Sequence, residues 1–395
     1  MTPEADTVAH NYDVTVKTFE QLQPVEIEGW RALCAGHEDY DSALFTPEFA
    51  EIIAGVRDDV RVIVAKDDGA LKAVLPFHLR PNGFARPLGA PFSDYSAPIL
   101  AADFSLSLHE LLERANIGAY DAAGVPDPFE MLDRGSRADR DESAINSRLI
   151  RATDAGKSVL ESQRTQHAKR FKNFRRLRNQ IEREVGEVTL GWGRPDPAML
   201  AKLLGFKREQ YRDSGYVDLT SAEKARALLD AVAASEHAFM TTLCVGETLI
   251  SGHFGVRVGD AFHPWIAAYN PAYSHFSPGN VLLMAILEQF EEIGLKSYDL
   301  ANGHDHYKKY FANASRTAWP VFETGAGLPA LEHKIKRAAW QLAGADSPTS
   351  PVGRLQRRLD QIAVSEFKLA SRAKEFVYAV RVRSVPQKDR RDTAA

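Results

Sequence analysis

Between Asn302 and Lys308 the chain sets Asn, Gly, His, Asp, His, Tyr and Lys in consecutive positions, followed closely by Tyr310 and Phe311. A carboxylate can accept a proton, a tyrosine can return one to a leaving group, and a lysine can bind phosphate or polarise a carbonyl oxygen. Just upstream, Lys296–Leu300 reads as a short strand holding Asp299. Ligands collect beyond the carboxyl ends of strands in open α/β sheets. Asp299, Asp305, Tyr307 and Lys308 are therefore the candidate catalytic residues. Tyr307 can equally pack its ring in the core and Lys308 can be a solvated surface charge, so both readings stay open. His304 and His306 flank Asp305, but alternate residues share no helix face and no third ligand has a recognisable spacing. No metal is expected.

A second set of groups lies at Ser277-Pro278-Gly279-Asn280, where a polar cap candidate and a proline open an apolar run. The first turn of a helix exposes backbone N–H groups and the positive end of its dipole, which suits a pyrophosphate. Ser277, Gly279 and Asn280 are accordingly candidate donor-binding residues, although any capped helix has such a terminus. His253, His263 and His275 fall on or after the neighbouring strands, and satisfied core histidines are the expectation there. No Gly-x-Ser-x-Gly elbow, Gly-Lys-Ser/Thr phosphate loop or Gly-x-Gly-x-x-Gly fingerprint occurs.

Several elements must position these groups. Leu282, Leu283, Ile286, Phe290 and Ile293 recur at steps of three and four, predicting a helix over 278–293 with Glu288, Glu291 and Glu292 outside its apolar stripe. Before it, Phe239–Val245, Leu249–Val258 and Phe262–Ala268 read as strands joined by turns at Gly246-Glu247 and Gly259-Asp260. The first half repeats this order: Arg61–Val64, a turn at Asp67-Asp68-Gly69, Leu71–Leu79, a Pro/Gly-rich stretch with Asp94-Tyr95, a helical segment Leu106–Asn116, and Tyr120-Asp121 mirroring Tyr298-Asp299. This shared order predicts a duplication. Between the halves, Phe171, Phe174, Leu177, Ile181 and Val185 mark a helix whose other face carries Arg170, Lys172, Arg175, Arg176 and Arg178. After Pro320 the pattern reads as helical over Leu331–Leu342 and Leu355–Val380, split by turn-forming residues at 344–351. The expected units are 12–150, 151–325, a helical extension 326–385 and a disordered tail 386–395.

The 395 residues, 44% hydrophobic and 26% charged, suit two globular units. Cys34 and Cys244 support neither a disulfide framework nor a zinc cluster, and no basic-then-apolar leader or membrane-spanning run is visible, so a cytoplasmic protein is expected. The net charge of −4 is uneven: residues 164–183 hold eight Lys/Arg against one acid and 352–391 hold eleven against four, leaving −18 on the remainder. Such segments suit an anionic contact or are solvated helix faces.

Leu249–Phe311, with Ser277-Pro278-Gly279, Tyr298-Asp299 and Gly303-His304-Asp305-His306-Tyr307-Lys308, resembles the GNAT-superfamily acetyltransferases related to Fem-type peptidyltransferases and associated with cellulose or exopolysaccharide biosynthesis. In that family a strand ends in aspartate and leads into Gly-Asp-Glu/Asp-x-Tyr-Lys. Gly303, Asp305, Tyr307 and Lys308 fit this pattern, whereas His304 stands where an acid is usual. Lys169-Arg170, Arg175-Arg176, Leu88-Gly89 and Asp94-Tyr95 extend the likeness to roughly residues 12–322. The resemblance implies an α/β (α+β) fold of tandem GNAT-like halves, each a mixed, mostly antiparallel sheet flanked by helices, plus C-terminal helices. It implies acyl-CoA, such as acetyl-CoA, as co-substrate, with Gly303 joining the donor-binding residues and no metal. It also implies a small-molecule amine or hydroxyl acceptor, and an acyl carrier protein or polysaccharide-synthesis partner. The usual Arg/Gln-x-x-Gly-x-Gly/Ala pyrophosphate loop is replaced here by His275–Asn280. Fem-type relatives use aminoacyl-tRNA, which the basic segment 164–183 could touch. A non-catalytic partner subunit is the third reading.

Overall fold

Every L-residue turn that reverses a strand must solve the same steric problem. Here Asp68 and Gly69 take φ of 48° and 81°, matching a hairpin turn to the twist of the strands it joins. The computed structural model describes residues 11–132, 143–153, 158–214, 218, 220, 222–301, 307–345, 350–353, 355, 356 and 359. The first half comprises β1 (Asp13–Lys17), α1 (Pro24–Ala35), α2 (Pro47–Ala54), β2 (Val60–Asp67), β3 (Ala70–Leu79), β4 (Phe84–Pro87), β5 (Ile99–Leu100), α3 (Leu108–Arg114) and β6 (Ala119–Val125). Then come β7 (Ile145–Arg151), α4 (Val159–Gln166) and α5 (Ala168–Glu184). The second half comprises β8 (Val188–Gly193), α6 (Pro197–Ser214), α7 (Glu223–Ala234), β9 (Ala238–Val245), β10 (Thr248–Val258), β11 (Ala261–Tyr269), α8 (Pro278–Glu288), α9 (Phe290–Ile293) and β12 (Ser297–Asp299). β13 (Ala314–Thr324) and α10 (Gly327–Leu342) follow.

The two halves correspond element by element. Each runs strand, two helices, three antiparallel strands, a helix and a strand parallel to the one before that helix. The parallel pairs are β4 with β6, through Phe84↔Ala119 and Ala85↔Tyr120, and β11 with β12, through Ala261↔Ser297 and Phe262↔Tyr298. The closing strands are exchanged: β7 pairs with β12, while β13 pairs with β7 through 314–318 and with β6 through 319–324. A single sheet results, in the order β1-β2-β3-β4-β6-β13-β7-β12-β11-β10-β9-β8, with β5 beside β3. The fold is thus mixed α/β, with a large, mostly antiparallel sheet flanked by helices.

Three local outcomes differ from the sequence pattern. The helix over 278–293 breaks at Gln289, where φ is −119°, before a last turn that ends at left-handed Gly294. Pro320 lies inside β13, not at the start of helical chain, and sits where the ladder slips a register between Trp319 and Val321. A bulge tolerates the missing N–H. The boundary expected at residue 150 falls within β7, which pairs with β12 of the second half. The described core is not cleanly split either, because one cluster joins Trp30, Phe49 and Phe77 with Leu203, Phe254 and Ile266 from the second half. The other cluster buries Phe171, Phe174, Leu177 and Ile181 of α5 against α8 and Phe311.

Candidate active site at the parting of two strands

The pairing of β11 with β12 ends at Phe262↔Tyr298, and among the described residues no strand covers that edge of β11 beyond it. β10 is paired on both sides, by β9 and β11. The parting is therefore one strand further on. Its geometry starts in a bulge: Gly255 faces Pro264 and Phe254 faces Ile266, so Trp265 is the extra residue. Gly255 makes this possible, since a Cβ there would collide with the His263 carbonyl oxygen. The bulged Trp265 stacks on Phe92 at 5.3 Å and meets Phe49 edge-on at 5.7 Å, carrying the strand against the first half.

A chain of alternating charges fills the base of the parting. Arg316 of β13, with no exposed surface, donates from Nη1 to Asp299 Oδ2 at 2.6 Å, from Nε to the Asp39 carbonyl at 2.9 Å and from Nη2 to the Asp41 carbonyl at 2.8 Å. Asp299 also accepts from the Ala301 N–H at 2.7 Å and the Tyr95 hydroxyl at 3.2 Å. His263 Nε2 lies 2.9 Å from Asp94 Oδ2, and its Nδ1 is 3.5 Å from Asp299 Oδ2. The second contact is Coulombic, because Nδ1 makes no hydrogen bond. Burial opposes the charge on His263, but Asp299 and Asp94 outweigh it and push its pKa up to about 9. Burial likewise opposes charge on Asp299, yet His263 and Arg316 hold its carboxyl far below the ordinary range. A carboxylate so committed is a weak proton acceptor. Its role is to tie β12 to β13 and, through Arg316, to the 39–41 turn of the first half.

A second polar group lines the neighbouring face. Thr241, His253 and Ala267 are cross-strand partners on β9, β10 and β11. The Tyr298 hydroxyl sits 2.7 Å from His253 Nδ1 and 3.2 Å from Thr241 Oγ1. Burial, with the positive charges of Lys308 and Lys207, pushes His253 down to about 3, leaving it neutral. It is the satisfied core histidine that its setting predicted. Lys207 of α6 donates to the Ala267 carbonyl at 3.2 Å.

The candidate residues take distinct positions. Asp299 is buried in the ionic chain, Lys308 is buried at the start of a short 3-10 turn (Lys308–Tyr310), and half-buried Tyr307 packs against the second core cluster. Ser277 adopts the left-handed conformation, φ 50° and ψ 57°, and hands the chain into α8 without a side-chain cap bond. Gly279 and Asn280 occupy the first turn, and a Cβ on Gly279 would enter open space. Because α8 follows the last residues of β11 through a short 3-10 segment (Pro271–Phe276), its amino end lies at the same end of the sheet as the parting. Gly303 and Asp305 lie outside the described residues. Sequence reasoning missed Arg316, whose strand reads as chain approaching a helix, and missed that Asp94-Tyr95 meets His263 and Asp299. Among the described residues no group of three or more His, Cys, Asp or Glu could hold a metal ion.

Residues 168–309 match a family model described as an acetyltransferase (GNAT) domain. This segment spans α5 through β12 and the Tyr307-Lys308 turn, so the match lies in the second half and does not extend over the whole chain. No functionally curated protein matches. Among solved structures, the chain is similar to FemX (11% identity, covering 74% of this chain and 94% of that one, TM-score 0.46). It is also similar to the C-terminal domain of a candidate lysylphosphatidylglycerol synthetase from Agrobacterium fabrum (11%, 79% and 95%, 0.44). A third is a tandem GNAT protein from the clavulanic acid biosynthesis pathway (9%, 79% and 97%, 0.39). At these identities and scores the likenesses assign no substrate.

Proposed function

We propose that the protein is an acyltransferase that moves an acetyl or other acyl group from acyl-CoA to an amine or hydroxyl acceptor. The observation that carries this reading is the parting of β11 from β12 beside the first turn of α8, within the segment that matches the GNAT domain. An uncovered strand edge can pair with the amides of an extended ligand, and a helix amino end favours its phosphates. Ser277, Gly279, Asn280 and Gly303 are the donor-binding residues in this proposal. The acceptor nitrogen or oxygen attacks the thioester carbonyl, the carbon–sulfur bond breaks, and Tyr307 returns a proton to the thiolate. Lys308 contacts donor phosphate or the developing oxyanion. Asp305 takes the acceptor's proton, and Asp299 holds the site together. The resemblance to the cellulose and exopolysaccharide branch favours a sugar amine or hydroxyl as acceptor, in the cytoplasm.

Thiol release from acetyl-CoA in the presence of amino sugars, amino acids and peptides tests this directly, with aminoacyl-tRNA as the competing donor. Acceptor-dependent thiol release supports the reading. Transfer from aminoacyl-tRNA alone would replace it with the Fem-type reaction.

A further inference from the structure

Helix α10 shows solvent an apolar stripe that its own anchoring does not require. It is fixed to the first half by buried Ala330 and His333, whose ring lies 4.6 Å from that of Phe84 and whose Nε2 lies 3.3 Å from the Asn82 carbonyl. Arg337 sits over the Phe322 ring at 4.2 Å and secures the same face one turn later. At 100° per residue, Leu328, Leu331, Ile335 and Leu342 fall on the opposite face. Their exposures are 82%, 54%, 61% and 90%. Of the eleven large apolar side chains exposed among the described residues, six lie between Leu328 and Leu359, so the exposure is concentrated there. A contiguous stripe of this kind marks a contact surface, unlike scattered single leucines.

Charge selects the occupant. Exposed Lys334 and Lys336 flank the stripe, and with Arg337 they leave α10 basic against its one acid, Glu332, on a chain whose net charge is −4. A second copy of this chain would bring two such basic segments together. An anionic bilayer instead meets apolar side chains with acyl chains and lysines with phosphate headgroups, the pattern of helices that lie in a membrane interface. No helix among the described residues is long and apolar enough to cross a membrane, so the contact is peripheral. We propose that α10 docks the protein on an anionic lipid surface. This inference is independent of the acyl-transfer reading.

Co-sedimentation of the full-length protein with phosphatidylcholine vesicles, with and without 30 mol% phosphatidylglycerol, tests it. The expected result is binding to the anionic vesicles at least tenfold tighter than to phosphatidylcholine alone, weakened by 0.5 M NaCl. The L331E/I335E double variant should lose at least tenfold while keeping its thermal transition, because both side chains are exposed. K334Q/K336Q should lose less and show a shallower salt dependence. Failure of the wild-type protein to bind anionic vesicles would overturn the proposal, as would unchanged binding by L331E/I335E. A wild-type dimer that L331E/I335E converts to monomer, with neither binding vesicles, would assign the stripe to self-association instead.

Discussion

Arg316→Met is the sharpest test of how the two halves are joined. The substitution keeps an unbranched apolar stem but removes the guanidinium, which makes a 2.6 Å pair with Asp299 and charged hydrogen bonds to the Asp39 and Asp41 carbonyls. Removing one partner of a buried ion pair costs about 3–5 kcal/mol, chiefly by leaving the other charge uncompensated. Here His263 remains 3.5 Å from Asp299 and stays positive, which offsets part of the loss. The lower end, ~3 kcal/mol, is therefore expected, on the order of a hundredfold in the folding equilibrium. Urea denaturation followed by tryptophan fluorescence should show a lower midpoint with an unchanged slope. Combined with Asp299→Asn, the loss should be far less than additive, because the two side chains share one interaction. A loss under about 1 kcal/mol for Arg316→Met, or additivity in the double variant, would refute the role given to this pair.

Other consequences follow from the same geometry. His263 has a folded pKa near 9, above its unfolded value, so its contribution to stability is full below about pH 6.5 and disappears as pH rises through 9. Asp94→Asn removes one of the two carboxylates that raise it, so the alkaline loss should be smaller and complete at lower pH in a pH series of melting temperatures. Gly255→Ala forces a Cβ onto the His263 carbonyl and should cost roughly 1–3 kcal/mol in denaturant titration, with Gly279→Ala, whose Cβ meets open space, as the tolerated comparison. Tyr307→Phe and Lys308→Ala, if they act on the transition state, should each lower turnover by roughly ten- to a thousandfold with unfolding midpoints retained; unchanged rates in both would remove them from the mechanism.

The duplication was legible because hairpin turns and alternating strands announce themselves locally. Asp67-Asp68-Gly69 and Gly259-Asp260 fall where β2–β3 and β10–β11 reverse. The exchange of β7 and β13 was not legible, since a strand's partner depends on chain closure and not on its own pattern. β13 also contains Pro320, which reads as a breaker but occupies a bulge. Asp299 was found from its place at a strand end, whereas its binding partners were not. Arg316 lies on that unrecognised strand, and Asp94 is 169 residues from His263. Burial then changed the chemistry that could be assigned: an aspartate at a strand terminus suggests a base, but one between Arg316 and His263 is an anchor. The exposed stripe of α10 needed the structure as well, because Leu331 and Ile335 suit a core helix equally until the opposite face is seen to do the anchoring.

In the proposed reaction the open edge of β11 and the first turn of α8 receive an acyl-CoA. Calorimetric titration of acetyl-CoA and free CoA into the protein, repeated with Gly279→Glu, measures this most directly. Saturable binding of both nucleotides by the wild-type protein is expected, and at least tenfold weaker binding by Gly279→Glu, which places a bulky anion in the open space by the helix start. Absence of binding at saturating concentrations, or equal binding by the variant, would contradict it.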